Sequence, residues 1–152
     1  MSRRVWLRGL GLAAALMVPA APAWAQATFG PRGGVSGEPD QFVLGGHIES
    51  PDLGHRVTFR PNVEVGFGSD LTLVTVNLEF VHWMPLKNSR WQVYAGGGVG
   101  TNFWIADEEK RMYGVVNVVF GLQHDIGLFA EMKVGMDPSV KIVAGYSMKF
   151  GS

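Results

Sequence analysis

The chain has 152 residues, 13 basic and 13 acidic side chains, 21 glycines and no cysteine. Balanced charge gives no reason to expect nucleic acid as a partner, and the missing cysteines remove disulfides and thiolate chemistry. Beyond the N-terminal segment no apolar run approaches the roughly 18 residues of a transmembrane helix, so none is expected.

Residues 1–25 have the layout of an export signal peptide. Arg3, Arg4 and Arg8 form a basic start, residues 10–18 an apolar run, and Ala23-Trp24-Ala25 a small-x-small cleavage site. The segment from Ser2 to Arg8 also resembles a twin-arginine export motif, with Trp6 and Arg8 where that motif prefers Phe and Lys. Cleavage would leave 127 residues beginning at Gln26, with 10 basic side chains against 13 acidic ones. That length suits one domain, residues 26–152, with one core.

From there on, apolar residues recur at every second position and the chain is broken at short intervals by Gly, Pro, Asn and Asp, which is the pattern of strands and turns. Eight strands are expected, at 28–36, 41–49, 56–67, 71–83, 91–104, 113–124, 128–135 and 139–150. The clearest pair flanks Gly68-Ser69-Asp70. Val57, Phe59, Pro61, Val63, Val65 and Phe67 oppose Thr58, Arg60, Asn62, Glu64 and Gly66; after the turn, Val74, Val76, Leu78 and Phe80 oppose Thr75, Asn77 and Glu79. An even number of sequential hairpins favours an all-β, antiparallel, up-and-down sheet closed into an eight-stranded barrel. The first strand is the weakest of the eight, because Pro31 and several glycines interrupt it.

A two-faced barrel has two possible arrangements. The apolar face fills the interior of a soluble calycin-like barrel, or it faces lipid around a transmembrane one. The polar face here consists mainly of Gly, Thr, Ser and Asn, which suit a crowded lumen better than open water. Its few charges are Glu49, Glu64, Glu79 and Glu131 against Arg60, Lys133 and Lys141. In an interior only wide enough to be filled by side chains such charges must be paired, so Arg60, Glu64, Glu79, Glu131, Lys133 and Lys141 are expected to form a lumen network. Trp83, Trp91, Phe59 and Phe150 at one set of strand ends, and Phe42, Phe67, Phe103, Trp104 and Tyr113 at the other, fit two interfacial girdles.

The segments Trp91 to Gly100, Gly127 to Lys133 and Gly145 to Phe150 resemble the small outer-membrane β-barrel family of the OmpA transmembrane domain and OmpX. The resemblance implies residence in the outer membrane with lipid as neighbour. It also implies recognition by the barrel assembly machinery through the closing Tyr146, Met148 and Phe150, although Gly151 and Ser152 follow the final aromatic. The outward loops would be short. Pro61, inside a strand that should pair on both sides, suggests a bulge.

No catalytic arrangement stands out. His47, His55, His82 and His124 have no metal-ligand spacing, no serine sits on a nucleophile elbow, and Gly96-Gly97-Gly98 lacks the lysine of a phosphate loop. The sequence thus leads to a monomeric, non-enzymatic outer-membrane barrel with no cofactor or metal and a structural or narrow-pore role. The alternative is a soluble periplasmic calycin-like barrel that binds a lipid or another hydrophobic ligand.

Overall fold

The computed structural model describes residues 26–136 and 138–151. The expected signal, residues 1–25, lies outside the described residues, as do Asp137 and Ser152. The strands are β1 (Thr28–Gly37), β2 (Gln41–Glu49), β3 (Val57–Phe67), β4 (Leu71–Pro85), β5 (Trp91–Ala106), β6 (Lys110–His124), β7 (Leu128–Gly135), β8 (Val140–Tyr146) and β9 (Met148–Lys149). Each of β1 to β8 pairs antiparallel with its neighbour in sequence, and both β8 and β9 pair with β1. The sheet therefore closes as an up-and-down barrel, with β8 and β9 as two pieces of one strand and eight strands in all.

The registers follow from the two-faced pattern, since a slip of one residue would exchange the faces. In the β3–β4 hairpin Val63 lies opposite Val76 and Asn62 opposite Asn77, so apolar meets apolar and amide meets amide. All around the barrel the apolar set points outward: Val35, Leu44, Val63, Val76, Leu78, Phe80, Val99, Val116, Val118 and Ile142 are all exposed. Arg32, Arg60, Glu64, Glu79, Asn62, Asn77, Glu131, Lys133 and Lys141 are buried in the lumen. The barrel interior is thus mainly polar, with Val43, Val81, Val119 and Phe129 among the apolar side chains that share it.

Several details depart from the sequence reading. The β5–β6 hairpin is longer than expected: Ile105 pairs with Lys110, and Ala106 and Glu109 exchange backbone hydrogen bonds of 2.9 and 3.3 Å across a two-residue turn. Trp83, Trp104 and Tyr113 do not belong to outward girdles. Trp83 packs against Val81, Tyr94 and Val119 inside one end of the barrel and donates to the Thr58 hydroxyl at 3.0 Å. Trp104 and Tyr113 contact each other on the lumen side. Their strand parity decides this, since Trp83 shares its face with Val81 and Trp104 shares its face with buried Asn102.

Pro61 makes no bulge. The β2–β3 pairing stops at His47 and Asn62 and resumes, in the same register, where Ser50 N donates to the Phe59 carbonyl at 2.9 Å. Proline has no N–H to give, so the ladder carries a gap and the register is kept. The break between β8 and β9 has the same origin. It lies opposite Pro31, with Arg32↔Gly145 on one side and Phe29↔Met148 on the other, again in one register.

Candidate functional site: the charge-filled lumen

The lumen charges come from six strands, each placed by simple alternation. Arg60 and Glu64 lie two turns of the pleat apart on β3, and Glu131 and Lys133 are neighbours on the inner face of β7. Glu49 on β2 meets Arg60 at 2.5 Å. The other end of the Arg60 guanidinium reaches Glu131 at 2.8 Å, and the Tyr94 hydroxyl donates to the same carboxylate oxygen at 2.8 Å. Arg60 also lies over the Tyr94 ring at 4.5 Å and the Trp83 ring at 5.5 Å. This stack lies towards one end of the lumen, beside Trp83.

Farther along, Arg32 bridges Glu131 and Glu64, with its Nε 3.1 Å from Glu64. Lys133 Nζ stands 2.7 Å from Glu79, 3.3 Å from Glu64 and 3.0 Å from Asn62 Oδ1, and Lys141 donates to Glu64. The amides carry the network onward. Asn62 donates to Glu79 at 2.9 Å, Asn77 to Asn62 at 3.0 Å and Asn117 to Asn77 at 3.2 Å. All six expected network residues are thus brought together.

The balance depends on a residue outside that set. Glu49, Glu64, Glu79 and Glu131 face Arg32, Arg60, Lys133 and Lys141, four charges of each sign. Arg32 is 2 % exposed and touches two of the four carboxylates. Its signal in the sequence was the alternation Gly30, Arg32, Gly34, Ser36, which puts it on the face of small and polar residues. Tyr94 shows the same parity beside Gly96 and Gly98. Paired, hydrogen-bonded charges are the only kind such an interior tolerates.

Lumen glycines make room for these large side chains. A Cβ at Gly98 would stand 2.8 Å from Glu79 Cγ, one at Gly100 2.4 Å from Asn77 Oδ1, and one at Gly121 2.2 Å from the Tyr94 ring. Gly98 thus serves as a cut-out opposite Glu79. Gly121→Val is expected to displace Tyr94 from Glu131 and cost about 1–3 kcal/mol as an overpacked interior, read as a lowered urea midpoint of the refolded protein. An unchanged midpoint would mean that the Tyr94 ring is not held against the wall.

His47 Nε2 and the Ser147 hydroxyl are 2.9 Å apart, with the His47 ring edge-on to Phe129. Among the described residues His47 Nδ1 has no hydrogen-bond partner, so none of their carboxylates orients the ring as in a nucleophilic triad. Among the described residues no group of three or more His, Asp or Glu side chains is placed to hold a metal ion. At the rim, outside the lumen, Arg90 donates to Asp125 at 2.7 Å and holds that carboxyl below its ordinary range.

The closing Tyr146, Met148 and Phe150 all point outward and are exposed. Phe150 packs on Phe29 at 4.5 Å, and its N–H donates to the Ala27 carbonyl at 3.1 Å, tying the two ends of the barrel chain together. Compared with known proteins, the chain matches no protein-family model and no curated protein sequence.

Proposed function

We propose that this chain is a small outer-membrane β-barrel whose lumen is closed by its own ion pairs. It would act as a structural element of the membrane, with lipid around it and the barrel assembly machinery as its route of insertion. One observation carries the reading: the outward face of the wall is predominantly apolar, with many large apolar side chains exposed, while among the described residues four acidic and four basic side chains are buried inside. In water that arrangement would leave a large apolar surface unburied and offset it with nothing. In a bilayer the same surface faces acyl chains. The calycin-like alternative would hold its ligand on an apolar interior, so the outward-facing apolar residues favour the membrane reading over it. The likeness of the closing segment to the outer-membrane assembly signal supports the same reading.

Closed transmembrane barrels commonly keep their fold in SDS until heated, so unboiled and boiled samples should migrate differently. In planar bilayers the protein should give no large, steady single-channel currents, because Arg60, Tyr94, Arg32 and Lys133 fill the path at successive levels. Steady conductance would contradict the closed lumen while leaving the barrel intact. Recovery of native protein from the periplasm without detergent would defeat the membrane reading.

A further inference from the structure

On the outside of the wall, where β1, β2 and β3 meet, lies a groove of about 480 Å³. Phe29, Ile48, Val63, Val76 and Phe150 line it together with Gly46 and Pro61, and the lumen residues His47 and Asn62 reach it from within the wall. The groove coincides with the gap in the β2–β3 ladder. Ser50 bonds to Phe59, so by antiparallel alternation the next hydrogen-bonded pair would be Ile48 with Pro61. Proline cannot donate, and the Ile48 carbonyl is left facing the gap without its ladder donor.

Two features make this more than an ordinary dent. A carbonyl that has lost its ladder donor on a lipid-facing wall has acyl chains rather than water around it, so a donor arriving there gains a hydrogen bond. Gly46 keeps the groove open although packing does not demand glycine there: an added Cβ would meet only the Gly30 carbonyl, at 3.5 Å. The partial negative charge of the carbonyl complements a polarised O–H set in an otherwise apolar molecule.

We propose that the groove holds one acyl chain bearing a hydroxyl group, its hydrocarbon against Phe29, Ile48, Val63, Val76 and Phe150 and its hydroxyl donating to the Ile48 carbonyl. This rests on the membrane reading, because only a lipid-facing wall presents the groove to acyl chains.

The test uses the refolded mature protein in phosphatidylcholine nanodiscs, titrated with 3-hydroxytetradecanoic acid or tetradecanoic acid and followed by amide NMR at Gly46, Ile48 and Val63. Saturable shifts are expected, with the hydroxylated acid favoured on the order of tenfold, the value of about one hydrogen bond. Pro61→Val restores a donor to the Ile48 carbonyl and should abolish the preference while leaving weak binding of both acids. Gly46→Leu fills the groove and should abolish both. Equal affinities in the native chain, or a preference that survives Pro61→Val, would overturn the proposal while the heat-dependent migration of the barrel stays unchanged. A chain that fails to enter nanodiscs would overturn the membrane reading, and this proposal with it.

Discussion

Glu131→Gln is expected to destabilise the barrel by about 3–5 kcal/mol, the usual cost of removing one partner from a buried ion pair. The Glu131 carboxylate receives Arg32, Arg60 and the Tyr94 hydroxyl, and it is 3 % exposed. Glutamine keeps the shape, removes the charge and places a donating NH₂ where one oxygen accepted. Arg32 then keeps only Glu64 and Arg60 only Glu49 as ionic partners. Urea unfolding of the protein refolded in liposomes measures the loss. Adding Arg60→Met to the same chain removes the surplus cation and should recover part of it. Asp125→Asn is the control, because the Arg90–Asp125 pair is exposed on both sides and should leave the midpoint unchanged. Equal effects at positions 131 and 125 would mean that the lumen is hydrated and its pairs are not structural.

Val76→Arg tests the other face. Val76 is 37 % exposed, lies opposite Val63 and Thr101, and sits in the middle stretch of β4. If that surface meets hydrocarbon near the midplane, a guanidinium there costs about 2–4 kcal/mol. Val118→Arg, at the middle of β6, should cost a similar amount. On a water-facing wall both substitutions would be nearly neutral or would improve solubility. The comparison is made in liposomes by the same urea titration, and a stability gain at either position would count against the lipid-facing assignment.

Alternation made much of the fold legible. Seven of the eight expected strands start and end within two residues of the observed ones, because apolar and polar positions separate so cleanly along them. The β5–β6 hairpin was underestimated because Asp107, Glu108, Glu109 and Lys110 read as one loop, whereas only a two-residue turn is needed when Ile105 and Lys110 pair. Trp83, Trp104 and Tyr113 face inward although their residue type suits an interfacial girdle, because each shares the parity of the lumen set. Parity governs which side of a strand a side chain occupies.

The lumen network was legible in six of its members and incomplete in a way the charges themselves betrayed. Glu49, Glu64, Glu79 and Glu131 against Arg60, Lys133 and Lys141 leaves one carboxylate without a cation, and a low-dielectric interior does not accept that surplus. Arg32 is the missing charge. Its strand was discounted for Pro31 and its glycines, which serve instead to let β1 approach the closing strand: a Cβ at Gly34 would meet the Ile142 carbonyl at 1.9 Å. The groove at Pro61 was not foreseeable, since a lost ladder bond at proline was legible but the register that leaves Ile48 opposite it was not.

Site-directed spin labelling at two adjacent residues distinguishes an apolar wall facing lipid from one facing the barrel interior. With no native cysteine, Val76→Cys and Asn77→Cys each carry a single label without background. In lipid bilayers the account predicts that the label at 76 relaxes strongly with oxygen and weakly with a water-soluble nickel complex. The label at 77, where the native side chain is 1 % exposed, should be immobilised and shielded from both. Free access of the nickel complex to position 77, with position 76 closed to oxygen and nickel alike, would contradict the account and place the apolar face inside.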